Sequence, residues 1–259
     1  MKTVTLLLTL LVLAASGMAQ KSKNDNQAGP LSTTVCQSTF TSGSGNAYLK
    51  FCVTQNGNIA TLESPATFNQ FYNGAEGYGI CNTTPEVVGY SDWGRYGDSG
   101  NWTDPTITQP NGPDTFPLTI TRTTADGVWT VKQVFSRDTN APAAKITMTL
   151  KNNSAIDRSA RFVRFADVDA DGVSSGNVFD ADLSASWGYK SYSHGVMMRA
   201  KSVPNSGGAV VSAAPQDVCN LANQQTSPYV GDGASAYTWQ YYPFPAQSSK
   251  TMAIEYRPF

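Results

Sequence analysis

Residues 128–135, VWTVKQVF, carry Trp129, Val131, Gln133 and Phe135 on one side of a two-residue period and Val128, Thr130, Lys132 and Val134 on the other. KITMTLKN behaves likewise, with Ile146, Met148 and Leu150 against Lys145, Thr147 and Thr149. Such alternation marks strands that cover a core on one face only. Helical periodicity is almost absent, so the chain is confined to an all-β fold. Turn dipeptides punctuate the runs: Asn56-Gly57 follows AYLKFCVTQ, and Asp126-Gly127 separates LTITRTTA from VWTVKQVFS. Both suit a type I′ turn, whose central residues need positive φ. KITMTLKNN and ARFVRFADV flank SAIDRS and predict a third hairpin with a longer loop. SWGYKSYS, GVMMRAKSV, AVVSAA, AYTWQYYPF and TMAIEYRPF complete about a dozen strands, and only Gln216–Asn223 reads as a helical turn. Many antiparallel strands at this spacing predict a large two-sheet β-sandwich.

The N-terminus, MKTVTLLLTLLVLAASGMAQ, has one lysine, an apolar run and small residues before Gln20. This is the pattern of a secretory signal peptide. The apolar run, about Val4 to Ala15, is shorter than the roughly 20 residues a bilayer-spanning helix needs. Cleavage after Ala19 would leave 259 − 19 = 240 residues. The polar segment 20–33 reads as a flexible lead, and residues 34–259 as a single sandwich domain. Secretion or export to the periplasm is expected, with no membrane span after cleavage.

Without Lys2 the chain carries 18 − 1 = 17 basic and 19 acidic residues, a net charge of about −2. That balance argues against nucleic acid or an anionic membrane as partner, since both select a concentrated basic face. Four cysteines in an exported chain imply two disulfides, with three possible connectivities. Cys36 and Cys52 lie on successive strand-like runs and so can meet in a hairpin, leaving Cys81 for Cys219. The absence of any C-x-x-C pair and a single histidine, His194, disfavour a zinc site.

The stretch FADVDADG, residues 165–172, places Asp167, Asp169 and Asp171 at alternate positions before Gly172. On a strand, Asp167 and Asp169 share a face about 7 Å apart, and Asp171 joins them where the strand turns. Calcium suits such a group because it takes six to eight oxygen ligands in loose geometry. A complete EF-hand would need a glutamate where Val178 stands. The competing expectation is that the aspartates are solvated, cap a turn, or pair with Arg158, Arg161 or Arg164.

Residues 90–102, YSDWGRYGDSGNW, set aromatic rings among glycines and polar groups, and read as a loop. Trp93, Arg95, Tyr96 and Trp102 are the expected carbohydrate contacts, rings stacking on the C–H face of a sugar while polar groups hold its hydroxyls. The alternative is that these rings pin the loop to the sandwich. Tyr237, Trp239 and Tyr241 alternate on one face and are expected in the core. Ser193 and His194, as strand neighbours, point to opposite faces and make a poor catalytic pair. Glu76, in the glycine-rich segment Gly74–Cys81, is the most suggestive lone carboxylate.

The 45 residues from Val128 to Gly172 resemble a segment of exported bacterial β-sandwich proteins of uncharacterised function. In these, a strand ending in LKN-S precedes one carrying R-x-x-D-x-D, here Arg164, Asp167 and Asp169. Their architecture is similar to that of the galactose-mutarotase-like superfamily. The resemblance implies the sandwich fold. The mutarotases rely on paired histidines and a glutamate, and the lone His194 departs from that pattern. Three functions follow as expectations: a carbohydrate-binding module with a structural calcium ion, a carbohydrate-active enzyme (lyase, hydrolase or epimerase), or a structural surface or matrix protein.

Overall fold

The computed structural model describes residues 35–138, 141–191, 194–201, 206–211, 217–221 and 224–259, those at 73 and 191 by backbone alone. The expected signal peptide, 1–19, and lead, 20–33, lie outside the described residues. Within them the protein is all-β, every strand pairing is antiparallel, and three short 3₁₀ turns are the sole helical segments. No described helix is long and apolar enough to cross a membrane.

The strands form three sheets. The nine-stranded sheet runs β16 (Tyr229–Gly231), β11 (Asn177–Ala181), β12 (Ala185–Ser191), β13 (His194–Ala200), β18 (Ser249–Pro258), β9 (Ala144–Asn152), β8 (Trp129–Arg137), β7 (Leu118–Thr123) and β6 (Thr106–Thr108). The six-stranded sheet runs β15 (Gln224–Gln225), β14 (Ser206–Val211), β17 (Ala234–Phe244), β10 (Arg158–Val168), β4 (Phe71–Thr84) and β5 (Val88–Asp92). A three-stranded sheet, β1 (Cys36–Ser42), β2 (Leu49–Thr54) and β3 (Ile59–Glu63), lies alongside.

Alternation does the packing. Trp129, Val131, Gln133 and Phe135 of β8 and Ile146, Met148 and Leu150 of β9 are all buried. The apolar ones share one cluster with Phe162 and Ala166 of β10 and with Tyr237, Trp239 and Tyr241 of β17. Ring contacts tie the two large sheets together: Phe71 meets Tyr256 edge-on at 5.2 Å and Trp129 meets Phe244 at 5.1 Å. The expected disulfides both form, Cys36 to Cys52 and Cys81 to Cys219. With all four described cysteines paired, the chain has the chemistry of proteins that fold in an oxidising compartment.

Four local expectations are corrected. Neither dipeptide turn is type I′: Gly57 and Gly127 have positive φ, +87° and +73°, whereas Asn56 and Asp126 do not. In both, the amide of the glycine bonds the carbonyl three residues back, closing a turn whose left-handed residue is the glycine. The segments flanking SAIDRS are not a hairpin. β9 belongs to the nine-stranded sheet and β10 to the six-stranded one, so residues 153–157 carry the chain across the sandwich edge. Both strands bury a face in the same core, which alternation cannot distinguish from pairing side by side. The expected loop 90–102 begins inside β5. Of the expected helical turn Gln216–Asn223, the described residues 217–221 form a turn closed by an Asp217–Asn220 bridge, not a helix.

Candidate functional site at the rim of the six-stranded sheet

β10 has two different faces. Phe162, Ala166 and Val168 point into the sandwich, while Val163 and Phe165 point outward into a smaller cluster with Trp93, Val211, Val218 and Ala234. Asp167 continues this outer row, opposite Ala234 at the start of β17. The strand ends at Val168, and Asp169 leads into a 3₁₀ turn at Ala170–Gly172. Just before β17, Asp232 stands between Gly231 and Gly233. One oxygen from each of Asp167, Asp169 and Asp232 falls within a group no wider than 4.8 Å.

Asp167 is 8% exposed and Asp169 6%. Asp167 Oδ2 accepts a hydrogen bond from the Tyr96 hydroxyl at 2.6 Å, and Oδ1 is buried without a partner. No ion pair among the described residues reaches either carboxylate. Burial pushes the Asp167 carboxyl up to about 7, Asp169 and Asp232 adding repulsion against the Tyr96 bond. Burial and Asp232 push Asp169 up to about 6.

The arginines that could have neutralised these groups are elsewhere. Arg164 pairs with Glu76 inside the core, and Arg158 Nε reaches Ser154 at 2.9 Å. Arg161 has no ion pair or side-chain hydrogen bond among the described residues, and stands six residues along the outer row from Asp167. At about 3.3 Å per strand residue that is roughly 20 Å.

The third expected metal residue, Asp171, is not in the group. The 3₁₀ turn holds it at φ +60°, where its Oδ2 meets His194 Nδ1 at 2.9 Å and its Oδ1 accepts from Gln70. Asp232 occupies the third position instead. Its sequence signal, an aspartate between two glycines before a strand, becomes informative only once β17 pairs with β10. Ser193 lies outside the described residues. Glu76 lies in β4 and is wholly buried, bonded to Arg164 and Tyr256, far from a surface role.

The four expected sugar contacts part company. Trp93 is 4% exposed and packs edge-on against Phe165 at 5.7 Å. Trp102 packs against the main core, donates from Nε1 to the Ser91 carbonyl at 3.1 Å, and lies under the Arg122 guanidinium at 5.1 Å. Arg122 also bridges Asp92 at 2.7 Å and Asp98 at 2.8 Å, clamping the segment. Trp93 and Trp102 therefore pin the loop. Tyr96 and Arg95 face solvent: Tyr96 is 40% exposed, and the Arg95 guanidinium covers Tyr72 at 4.4 Å. Gly94 makes this geometry possible, because at φ +57° a Cβ would stand 2.1 Å from the Gly74 carbonyl oxygen.

The fold and this rim define an all-β sandwich with a partly buried carboxylate group under an exposed tyrosine. No family model matches the chain, and no curated protein does. Among solved structures it is similar to a bacterial glucoamylase complexed with acarbose, with TM-score 0.54 and 8% identity over 88% of this chain. It spans 33% of that protein's length. It is also similar to a putative aldose 1-epimerase from Escherichia coli K12, with TM-score 0.52 and 11% identity over 86% of this chain and 99% of the other. The second likeness agrees with the architecture implied by residues 128–172. At such identities the likeness is one of fold.

Proposed function

We propose that this is an exported carbohydrate-binding β-sandwich protein, its domain spanning 34–259, in which Asp167, Asp169 and Asp232 hold a calcium ion beside Tyr96 and Arg95. The observation that carries the reading is a pair of nine-tenths buried carboxylates with no ion pair among the described residues, under an exposed ring. Buried charge is tolerated when paired or bound to a cation. The donors are all oxygen, which suits a hard cation, and three carboxylates leave positions for water and for sugar hydroxyls. Tyr96 supplies a ring for the sugar's C–H face. The names of the two solved structures, a glucoamylase and a putative aldose epimerase, support a sugar as the ligand class. The signal-like N-terminus and the two disulfides support secretion or a periplasmic location.

Calorimetric titration of EDTA-stripped protein with calcium chloride is expected to give a saturable heat. A free concentration a hundredfold above Kd stabilises by about 2.7 kcal/mol, visible as a higher Tm. Asp169→Asn removes both signals. On a glycan array, binding is lost in EDTA and in Tyr96→Ala. No heat and no Tm shift would remove the cation, and glycan binding indifferent to EDTA would move the ligand away from this rim.

The same site yields a pH prediction. In EDTA, folded Asp167 and Asp169 keep protons to about pH 7 and about pH 6. The unfolded chain releases them near 3.9. The folded state binds more protons between those limits, so the contribution of these two groups to stability is fully present below about pH 4 and is lost as pH rises through 6 and 7. Calcium displaces those protons, so the gap between melts in calcium and in EDTA widens towards pH 8.

The Tyr96–Asp167 hydrogen bond favours a second reading, a carbohydrate-active enzyme in which hydroxyl and carboxyl exchange a proton with a sugar oxygen. Turnover that survives EDTA and is lost in Tyr96→Phe selects it. Calcium-dependent binding without turnover selects the first.

A further inference from the structure

At the other end of the outer row, a cleft of about 880 Å³ lies over β10, β17 and β14. Its size falls in the range of small-ligand sites. Arg161, Thr238, Gln240 and Tyr242 line it from the sheet, and Asn220 and Gln224 from the segment tethered by Cys219. The register explains the convergence: Arg161 is opposite Gln240 and Val163 opposite Thr238, so these side chains share the face turned away from the core. On β14 the same face carries only Gly207 and the small Ala209, which keeps that side of the floor shallow.

Three features point to one chemistry. No carboxylate lines the cleft among the described residues. Arg161 is half-buried, its Nε is buried without an acceptor, and it makes no ion pair or side-chain hydrogen bond among the described residues. Tyr242, 52% exposed, offers a ring beside the amides of Gln224, Gln240 and Asn220. A guanidinium with a free edge presents paired N–H donors matched to an oxyanion. Side-chain amides donate to and accept from hydroxyls, and the ring stacks on an apolar sugar face.

We infer that this cleft is a second binding site, distinct from the carboxylate rim, and that it takes an acidic saccharide whose carboxylate is held by Arg161. A neutral sugar would leave the guanidinium uncompensated. The rim presents carboxylates where the cleft presents a guanidinium, so the two ends of one face offer a sugar different groups.

The test uses the purified protein with both disulfides formed and three probes: trigalacturonate, its uncharged methyl ester and inorganic sulfate. Trigalacturonate is expected to bind at least tenfold tighter than the ester, with an affinity that falls as salt rises. Arg161→Gln should abolish that tenfold preference while leaving Tm and the ester's affinity unchanged. Tyr242→Ala should weaken both saccharides. Asp169→Asn, which disables the rim, should leave trigalacturonate binding intact, so failure here and failure at the rim are separable. Equal binding of acid and ester, no binding of trigalacturonate, or sulfate binding as tight as trigalacturonate (an adventitious anion only) would each overturn the assignment.

Discussion

Glu76→Ala is expected to destabilise the protein by about 3–5 kcal/mol, the effect of leaving one partner of a buried ion pair alone. Glu76 and Arg164 are both inaccessible to solvent. Arg164 Nη2 donates to Glu76 Oε2 at 2.8 Å, and Nε to Oε1. The remaining guanidinium donors reach Gln133 Oε1 and the Gly57 carbonyl. Glu76 also accepts from the Ile59 amide and the Tyr256 hydroxyl, each at 2.6 Å. Burial works against the charge on Arg164, but Glu76 and Tyr256 together more than offset it and hold the guanidinium protonated. Removing Glu76 leaves a cation in the middle of the sandwich with no counter-charge. A natural domain has about 5–15 kcal/mol of stability in total, so the loss is a large share. The double variant Glu76→Leu with Arg164→Met is expected to cost far less than the two single changes summed, because an apolar pair leaves no uncompensated charge. Urea denaturation of the four proteins measures the cycle. A loss below about 1 kcal/mol in Glu76→Ala would mean water reaches the pair.

The second large effect belongs to the long-range disulfide. Cys81 and Cys219 are 138 residues apart, and closing so long a loop stabilises by about 4–5 kcal/mol in the chain-entropy model. Cys36–Cys52 spans 16 residues and lies in a hairpin whose ladder already holds it, which predicts about 3 kcal/mol or less. Cys219 also anchors Val218, which fills space left by two glycines: a Cβ on Gly79 or Gly89 would lie 2.8 or 3.1 Å from its methyl groups. Releasing this segment uncovers Val163 and Phe165 and removes the Asn220 wall of the acidic-sugar cleft. Replacing both Cys81 and Cys219 by alanine should therefore cost more stability than replacing Cys36 and Cys52, and should weaken trigalacturonate binding as well. Urea midpoints of the two double variants decide the order, and the reverse order would contradict the argument.

Much of the architecture was legible because side-chain period is a local property. Trp129, Val131 and Phe135 announce a half-buried strand, and Tyr237, Trp239 and Tyr241 a core face, without reference to any partner. Of the three possible cysteine pairings, hairpin proximity favoured the one that forms, Cys36–Cys52 with Cys81–Cys219. Asp167 and Asp169 stood out through spacing alone. Other features were illegible for a common reason. Trp93 and Trp102 look the same in sequence whether a ring meets sugar or Phe165 and Arg122. Asp232 and Arg161 carry no signal until β17 lies beside β10.

The amino-acid order by itself determined strand periodicity, the positions of the glycine-bearing turns and the all-β class, since each depends on neighbours within a few residues. The tertiary structure alone decided which strands lie side by side, which side of β10 is covered, and hence which carboxylates gather and which arginine is left uncompensated. Those outcomes are set by contacts between segments 67 to 180 residues apart, such as Asp167 with Ala234, Gln70 with Asp171 and Glu76 with Tyr256, and no short window of sequence contains both partners.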